Sequence, residues 1–182
     1  MLYGIFNKSV WFIESAQLAL ISVFVNNLGL VWINRIDRDS KWLKIVLIST
    51  KYSFYALLYA YAVLTISCWI NDYSVSYIWE NSHDNLPWWY KLGIGWAGHE
   101  GSWLLWWLIM AGYIQQFIKR CTSAPSGTMI KYISYLNICF GSYAIWVSSP
   151  FERLLPIPPA QGRDLNPLLQ DAMFTIHPPC LY

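Results

Sequence analysis

The chain has 182 residues, 56% of them hydrophobic and 12% charged, and its 12 Lys and Arg against 10 Asp and Glu give a formal charge of +2. Soluble domains average about 25% charged residues, and a chain with this much apolar surface does not stay unpacked, which excludes disorder. The sequence carries no basic stripe, which argues against nucleic acid as a partner. An apolar soluble core and a membrane protein remain, and the placement of charge separates them.

Four stretches contain no Asp, Glu, Lys or Arg: Ser15–Asn34, Tyr52–Asn71, Gly101–Ile118 and Tyr132–Phe151. About 20 apolar residues rising 1.5 Å each cross a hydrocarbon core of roughly 30 Å. The runs do not alternate as barrel strands do, and backbone in lipid must satisfy its own hydrogen bonds, so the spans are helices. The first is too long for a cleavable signal peptide and has Glu14 at its start. The expected fold is an all-α integral membrane protein, a single membrane domain over residues 1–182, with transmembrane helices at about 12–34, 52–71, 101–118 and 131–149.

Basic residues give the orientation. Arg35, Arg38, Lys41, Lys44, Lys51, Lys119, Arg120 and Lys131 lie on one side, against Lys8, Lys91, Arg153 and Arg163 on the other. The positive-inside rule makes the first group cytoplasmic or matrix-facing. The N-terminus and two long aromatic- and Pro-rich loops, about 72–100 and 150–177, then lie outside. The first of these holds Trp79, Trp88, Trp89 and Trp96, and Ser148–Pro179 holds seven of the nine prolines. Long loops of this kind are functional or disordered, and their aromatic content argues against disorder. The chemistry is expected on this outer face.

Cys68, Cys121, Cys139 and Cys180 show no C-x-x-C or zinc-like spacing. A pairing of Cys68 with Cys180 on the outer side, and unpaired thiols acting as small apolar residues, are the open alternatives. All three histidines, His83, His99 and His177, fall on the outer side, where imidazole is either solvated or a ligand for a metal or haem iron. His99 begins a His-Glu pair, but position 103 is Trp, so the H-E-x-x-H zinc motif is rejected. Gly98, Gly101 and Ser102 permit close approach of backbone or of a flat ligand. His99, Trp103 and Trp106 share one helix face, either as part of an interfacial aromatic belt or as a ligand-facing stripe. His177 precedes Pro178 and Pro179, which suit the first turn of a helix, so the chain is expected to stop at the start of a fifth helix, as a fragment or one piece of a split gene.

Several motifs together resemble a known family. Trp96-Ala-Gly-His-Glu-Gly-Ser102 is similar to W-G-G-H-E-G-S. Pro150-Phe-Glu-Arg-Leu-Leu-Pro156, followed by Gly162-Arg-Asp-Leu-Asn-Pro-Leu-Leu-Gln-Asp171, is similar to P-F-E-R…G-R-D-L-N-P-L-L-Q-D. His177-Pro-Pro-Cys-Leu-Tyr182 is similar to H-P-P-M-L-Y, and Asp72-Tyr-Ser-Val-Ser-Tyr and Leu86-Pro-Trp-Trp-Tyr-Lys91 also fit. The family is the CcmF (cytochrome c maturation F) haem lyases with their nitrite-reductase-specific NrfE relatives, and the resemblance covers nearly the whole chain.

The resemblance implies an inner-membrane protein, bacterial or mitochondrial, that helps attach haem b, taken from a haem chaperone, to the C-x-x-C-H motif of apocytochrome c through thioether bonds. Implied partners are that chaperone, apocytochrome c with its thiol-handling subunits, the remaining part of the lyase, and membrane lipid. His177 matches the family's axial ligand to haem iron. Trp96, His99 and Trp103 are haem-facing or packing residues in this scheme. Arg153 and Arg163, the only outer arginines, either contact the haem propionates or pair with Glu152 and Asp164 to hold their loop. The family's tryptophan-rich W-G-x-W-W-x-W-D platform is absent from this sequence, and no further histidine supplies an opposite ligand. The polypeptide is therefore expected to be the N-terminal part of a lyase, not competent by itself. The sequence shows no activated nucleophile or acid–base pair, so the task expected of it is positioning. An assembly subunit without catalytic function, or an NrfE-type homologue, is the alternative. A respiratory or transport role would require ionisable residues within the spans, which offer only Asn26, Asn27 and Asn137 with some hydroxyls. The topology has a direct test. A membrane-impermeant thiol reagent is expected to label Cys121 only from the cytoplasmic or matrix side, and labelling from outside overturns the orientation.

Overall fold

The computed structural model describes residues 2–33, 41–120, 125–167, 170, 171 and 173. The described residues are helical, with no β-strand beyond one isolated bridge between Val75 and Arg153. The helices are α1 (Leu2–Leu30), α2 (Lys41–Trp69), α3 (Ser76–Asn81), α4 (Trp88–Ile94), α5 (His99–Arg120) and α6 (Gly127–Ser142), the last continued by a π-helical turn over Tyr143–Val147. Val10–Leu30 and Lys41–Trp69 are long and apolar enough to cross a membrane.

The helices begin ahead of the charge-free stretches. α2 begins at Lys41 rather than near 52, so Lys44 and Lys51 are part of it. Lysine is a good helix former whose stem lies along apolar surface while its ammonium reaches water. The end of the charge-free run is therefore not the end of the helix. At the other end, α6 starts at Gly127, where the Ser126 side chain accepts a hydrogen bond from the Met129 N–H at 3.1 Å. That is an N-cap, and it starts the helix ahead of the charge-free stretch.

α1 packs between α2 and α6, and α5 packs on α2 and closes against α6. Leu20, Val23, Leu57, Leu64, Leu104 and Trp107 are buried in the shared core. Polar side chains fix the registers. Between α1 and α2, the Ser15 and Tyr59 hydroxyls share a 2.6 Å hydrogen bond, and Tyr52 OH donates to Ser22 Oγ at 2.6 Å. In the same row, Asn26 Nδ2 donates to Ser53 Oγ at 3.0 Å and to the Ser49 carbonyl at 3.2 Å. Between α5 and α6, the Trp107 ring N–H donates to Asn137 Oδ1 at 2.9 Å and the Trp103 ring N–H to the Phe140 carbonyl at 3.1 Å. In an apolar bundle such bonds join helices that have no hydrophobic preference for one another over lipid.

The segment expected as the loop 72–100 contains α3 and α4, and it folds back on the bundle together with residues 150–167. Tyr73, Val75, Ile78, Ile94, Phe151 and Leu165 belong to the same buried cluster as the cores of α1, α2 and α5. The result is a cap on one end of the bundle. The opposite end has its own smaller cluster of Leu30, Ile33, Val46, Ile118 and Ile130.

Asn137→Leu strands the Trp107 N–H in the core and is expected to cost about 1–2 kcal/mol. The detergent-solubilised variant should melt below the parent, whereas Cys139→Ala, at an exposed position of the same helix, should melt with it.

Candidate functional site in the cap

The cap begins where α2 ends. Asn71 adopts φ 54°, the left-handed conformation that Asn tolerates better than most residues and that commonly ends helices. Its side chain then ties three parts of the cap together. Nδ2 donates to Asp84 Oδ1 at 3.0 Å, and Oδ1 accepts from Ser82 Oγ at 2.9 Å and from Lys91 Nζ at 3.1 Å. Tyr73 OH donates to the same Asp84 oxygen at 2.7 Å. Burial and the neighbouring Asp84 carboxylate push the Tyr73 phenol well above its ordinary range.

Tyr77 holds the turn that leads into α5. Its buried hydroxyl donates to the Ile94 carbonyl at 2.6 Å and accepts from the Gly98 N–H at 3.2 Å. Burial pushes this phenol upward too, so it stays neutral and keeps both bonds. A Cβ on Gly101 would collide with the Gly95 carbonyl and the Tyr77 hydroxyl. Gly101 thus serves close packing of backbone and side chain within the cap. Ser102 Oγ closes the same turn by donating to the Trp96 carbonyl at 2.9 Å.

The second strip of the cap lies along the first. Ser76 N–H donates to the Glu152 carbonyl and Leu154 N–H to the Ser74 carbonyl, both at 2.8 Å. Further along, Arg163 N–H donates to the Trp79 carbonyl at 2.7 Å and Asp164 N–H to the Ser82 carbonyl at 3.2 Å. Gly162 is forced by this contact, since a Cβ there would run into the Ser82 carbonyl. Asp164 at φ 79° turns the chain away, its carboxylate accepting from the Leu165 N–H at 2.7 Å.

The residues singled out from sequence fall into different surroundings. His99 is the first residue of α5, its side chain 73% exposed and its Nε2 3.5 Å from Glu100 Oε1. Trp103 stacks on Phe140 with centroids 4.4 Å apart and meets Trp106 edge-on at 5.9 Å. Trp106 also lies 5.3 Å from Phe140, so the stripe closes the seam between α5 and α6. Trp96 has a buried ring N–H with no partner. Arg163 is exposed, with its guanidinium 4.3 Å above the Trp79 ring, a cation–π contact. Arg153 has all three guanidinium nitrogens buried without a hydrogen-bond partner. Neither arginine pairs with Glu152 or Asp164. His83 Nδ1 accepts from the Asn85 N–H at 3.2 Å. His177, Cys121, Cys180, Arg35, Arg38 and the expected start of a fifth helix lie outside the described residues. Cys68 is buried and free and Cys139 exposed and free. Among the described residues no group of three or more His, Cys, Asp and Glu is placed to hold a metal ion.

Of the residues that build the cap, Tyr73 and Tyr77 were visible in sequence only as part of the matching stretch Asp72–Tyr77, and Asn71 and Asp84 were given no role. An Asn directly after an apolar run is the one local signal for Asn71, and the others depend on contacts distant in the chain.

The structure matches the solved cytochrome c haem lyase CcmF with a TM-score of 0.72 over 96% of this chain and 27% of that one, at 22% sequence identity, a likeness of fold. The sequence is 37% identical to the cytochrome c-type biogenesis protein CcmF of Pseudomonas fluorescens over 147 residues, covering 79% of this chain and 22% of the relative. It is 39% identical to CcmF of Escherichia coli K12 over 126 residues (68% of this chain, 20% of the relative). To the probable cytochrome c-type biogenesis protein NrfE of E. coli K12 it is 37% identical over 132 residues (71% of this chain, 24% of the relative). No family model matches the chain. The chain belongs to the CcmF/NrfE family, and it spans about a fifth to a quarter of the length of these relatives.

Tyr77→Phe leaves the Ile94 carbonyl and the Gly98 N–H without their partner and is expected to cost about 1–3 kcal/mol of cap stability. Both cap phenols are raised, so they stabilise the folded cap fully below the ordinary tyrosine value of 10, and that contribution is lost as pH climbs above it. Limited proteolysis between residues 150 and 167 should therefore accelerate above that pH in the parent, and already at neutral pH in Gly162→Val.

Proposed function

We propose that this chain acts as part of a cytochrome c haem lyase, in the transfer of haem b from a haem chaperone and its thioether attachment to apocytochrome c. The observation that carries this reading is where the family motifs lie. Trp96–Ser102, Pro150–Arg153 and Gly162–Pro167 are the segments that fold into one cap on one end of the bundle. The cap then faces the outer side of a bacterial or mitochondrial inner membrane. In this reading α1, α2, α5 and α6 cross the bilayer, with the basic connectors on the opposite side.

The donor set suits haem. Arg153 offers buried, unpartnered N–H groups of the kind that bind a carboxylate in bidentate fashion, which fits a propionate. Arg163 presents its guanidinium edges to solvent while its face rests on Trp79. Trp88 and Trp89 are exposed on α4 and offer flat apolar faces. By its motif His177 would hold the haem iron, and Trp96, His99 and Trp103 frame the start of α5. When bound, haem supplies the vinyl groups that the thiols of apocytochrome c attack. The residues of this chain bind and orient it, and the thiols come from the partner with its thiol-handling subunits. The remaining part of the lyase completes the site.

The test is cytochrome c maturation in cells carrying the rest of the maturation machinery. His177→Ala is expected to lose haem retention and cytochrome c yield, and external imidazole to restore part of both by filling the vacated coordination position. His83→Ala is expected to match the parent, and Arg153→Met to retain less haem without rescue by imidazole. Parental yield from His177→Ala overturns the ligand assignment.

A further inference from the structure

Far from the cap, at the basic end of the bundle, two adjoining hollows lie between α2 and α5. The first, of about 240 Å³, is lined by Leu47, Ile48, Thr50, Lys51, Gln115 and Lys119. The second, of about 390 Å³, runs along Phe54, Ile109, Gly112 and Tyr113 and shares Gln115 and Lys119 with the first. Gln115 and Lys119 line both hollows, which therefore adjoin as one groove with lysine, aromatic and aliphatic side chains in its walls.

Gln115 is the feature that calls for a ligand. It is only 6% exposed, and its Nε2 is buried with no hydrogen-bond partner. Thr50 nearby is already satisfied, its hydroxyl donating to the Val46 carbonyl at 3.0 Å. A buried amide N–H without an acceptor costs about 1–3 kcal/mol, and hydrocarbon offers none. Gly112 keeps the groove open: its missing side chain leaves the Phe54 ring as the opposite wall, 3.2 Å from where a Cβ would sit. A ligand that fits has an anionic group for Lys51 and Lys119, a neutral acceptor about one helix turn deeper for Gln115, and an apolar tail.

We propose that this groove binds one anionic diacyl phospholipid of the inner leaflet. The phosphate lies at Lys51 and Lys119, a glycerol ester carbonyl accepts from Gln115 Nε2, and an acyl chain follows Phe54, Ile109 and Tyr113. Charge complementarity selects this occupant. Lys41, Lys44, Arg120 and Lys131 surround the same end of the bundle in sequence, where anionic headgroups gather. The proposal rests on the membrane-crossing reading above, but not on haem chemistry. Lipid binding and cytochrome c maturation therefore fail separately.

The experiment uses the full chain in a non-ionic detergent, with phosphatidylglycerol, phosphatidylcholine of the same chains, inorganic phosphate and a short-chain quinone as probes. Phosphatidylglycerol is expected to raise Tm and to remain bound as a single lipid in native mass spectrometry. Phosphatidylcholine and phosphate should do neither, because each lacks one part of the required chemistry. Lys51→Gln/Lys119→Gln changes only exposed side chains, so it should keep the parental Tm without lipid and lose the response to phosphatidylglycerol. Gln115→Leu fills the polar position with apolar bulk and should weaken lipid binding about fivefold, as expected for one hydrogen bond. Equal protection by phosphatidylcholine, protection by quinone alone, or an unchanged response in the double lysine variant overturns the proposal.

Discussion

The direction in which the chain leaves α2 is set by a single residue, and the cap depends on it. Asn71 takes a backbone conformation that ends the helix, and its amide then binds Ser82, Asp84 and Lys91 at once. These three residues belong to the end of α3, the turn after it and α4. With Asn71 in place, the strip from Ser74 to Ser82 presents backbone groups along one edge, and the segment from Glu152 to Asp164 pairs with that edge. No sheet forms, yet the pairing does what a sheet edge would. It satisfies polar backbone in a cap that also buries Tyr73, Tyr77 and Phe151.

Much of the bundle was legible from sequence because charge is costly in an apolar environment, and a charge-free run of about 18 residues or more is what a bilayer crossing demands. The extent of each helix was less so. Lys41, Lys44 and Lys51 lie within α2, so the end of a charge-free run is not the end of the helix. The short helices α3 and α4 escaped because their aromatic residues have only middling helix preference and Pro87 reads as a turn. Both are held by contacts distant in sequence, such as Tyr77 with Ile94.

The site residues were legible unevenly for the same reason. The glycines of the two motifs mark places of close approach, and at Gly101 the approaching groups are a carbonyl and a phenol of the cap itself. The stripe of Trp103 and Trp106 was visible as one face, but only the fold shows Phe140 against it. For the arginines, sequence offered carboxylate neighbours at adjacent positions, whereas the structure turns Arg163 onto an indole and buries Arg153 without a partner. At Asp164 the positive φ turns the chain, and its carboxylate accepts from the Leu165 N–H and not from Arg163.

The row of hydrogen bonds between α1 and α2 bears on the order of events during synthesis. Its members are separated by 23 and 27 residues at Asn26, 30 at Ser22 and 44 at Ser15. The entropy lost in closing a loop grows with its length, so the contacts nearest the connector close first. The two helices therefore join like a zip fastener, starting at the basic connector and ending at Ser15 and Tyr59.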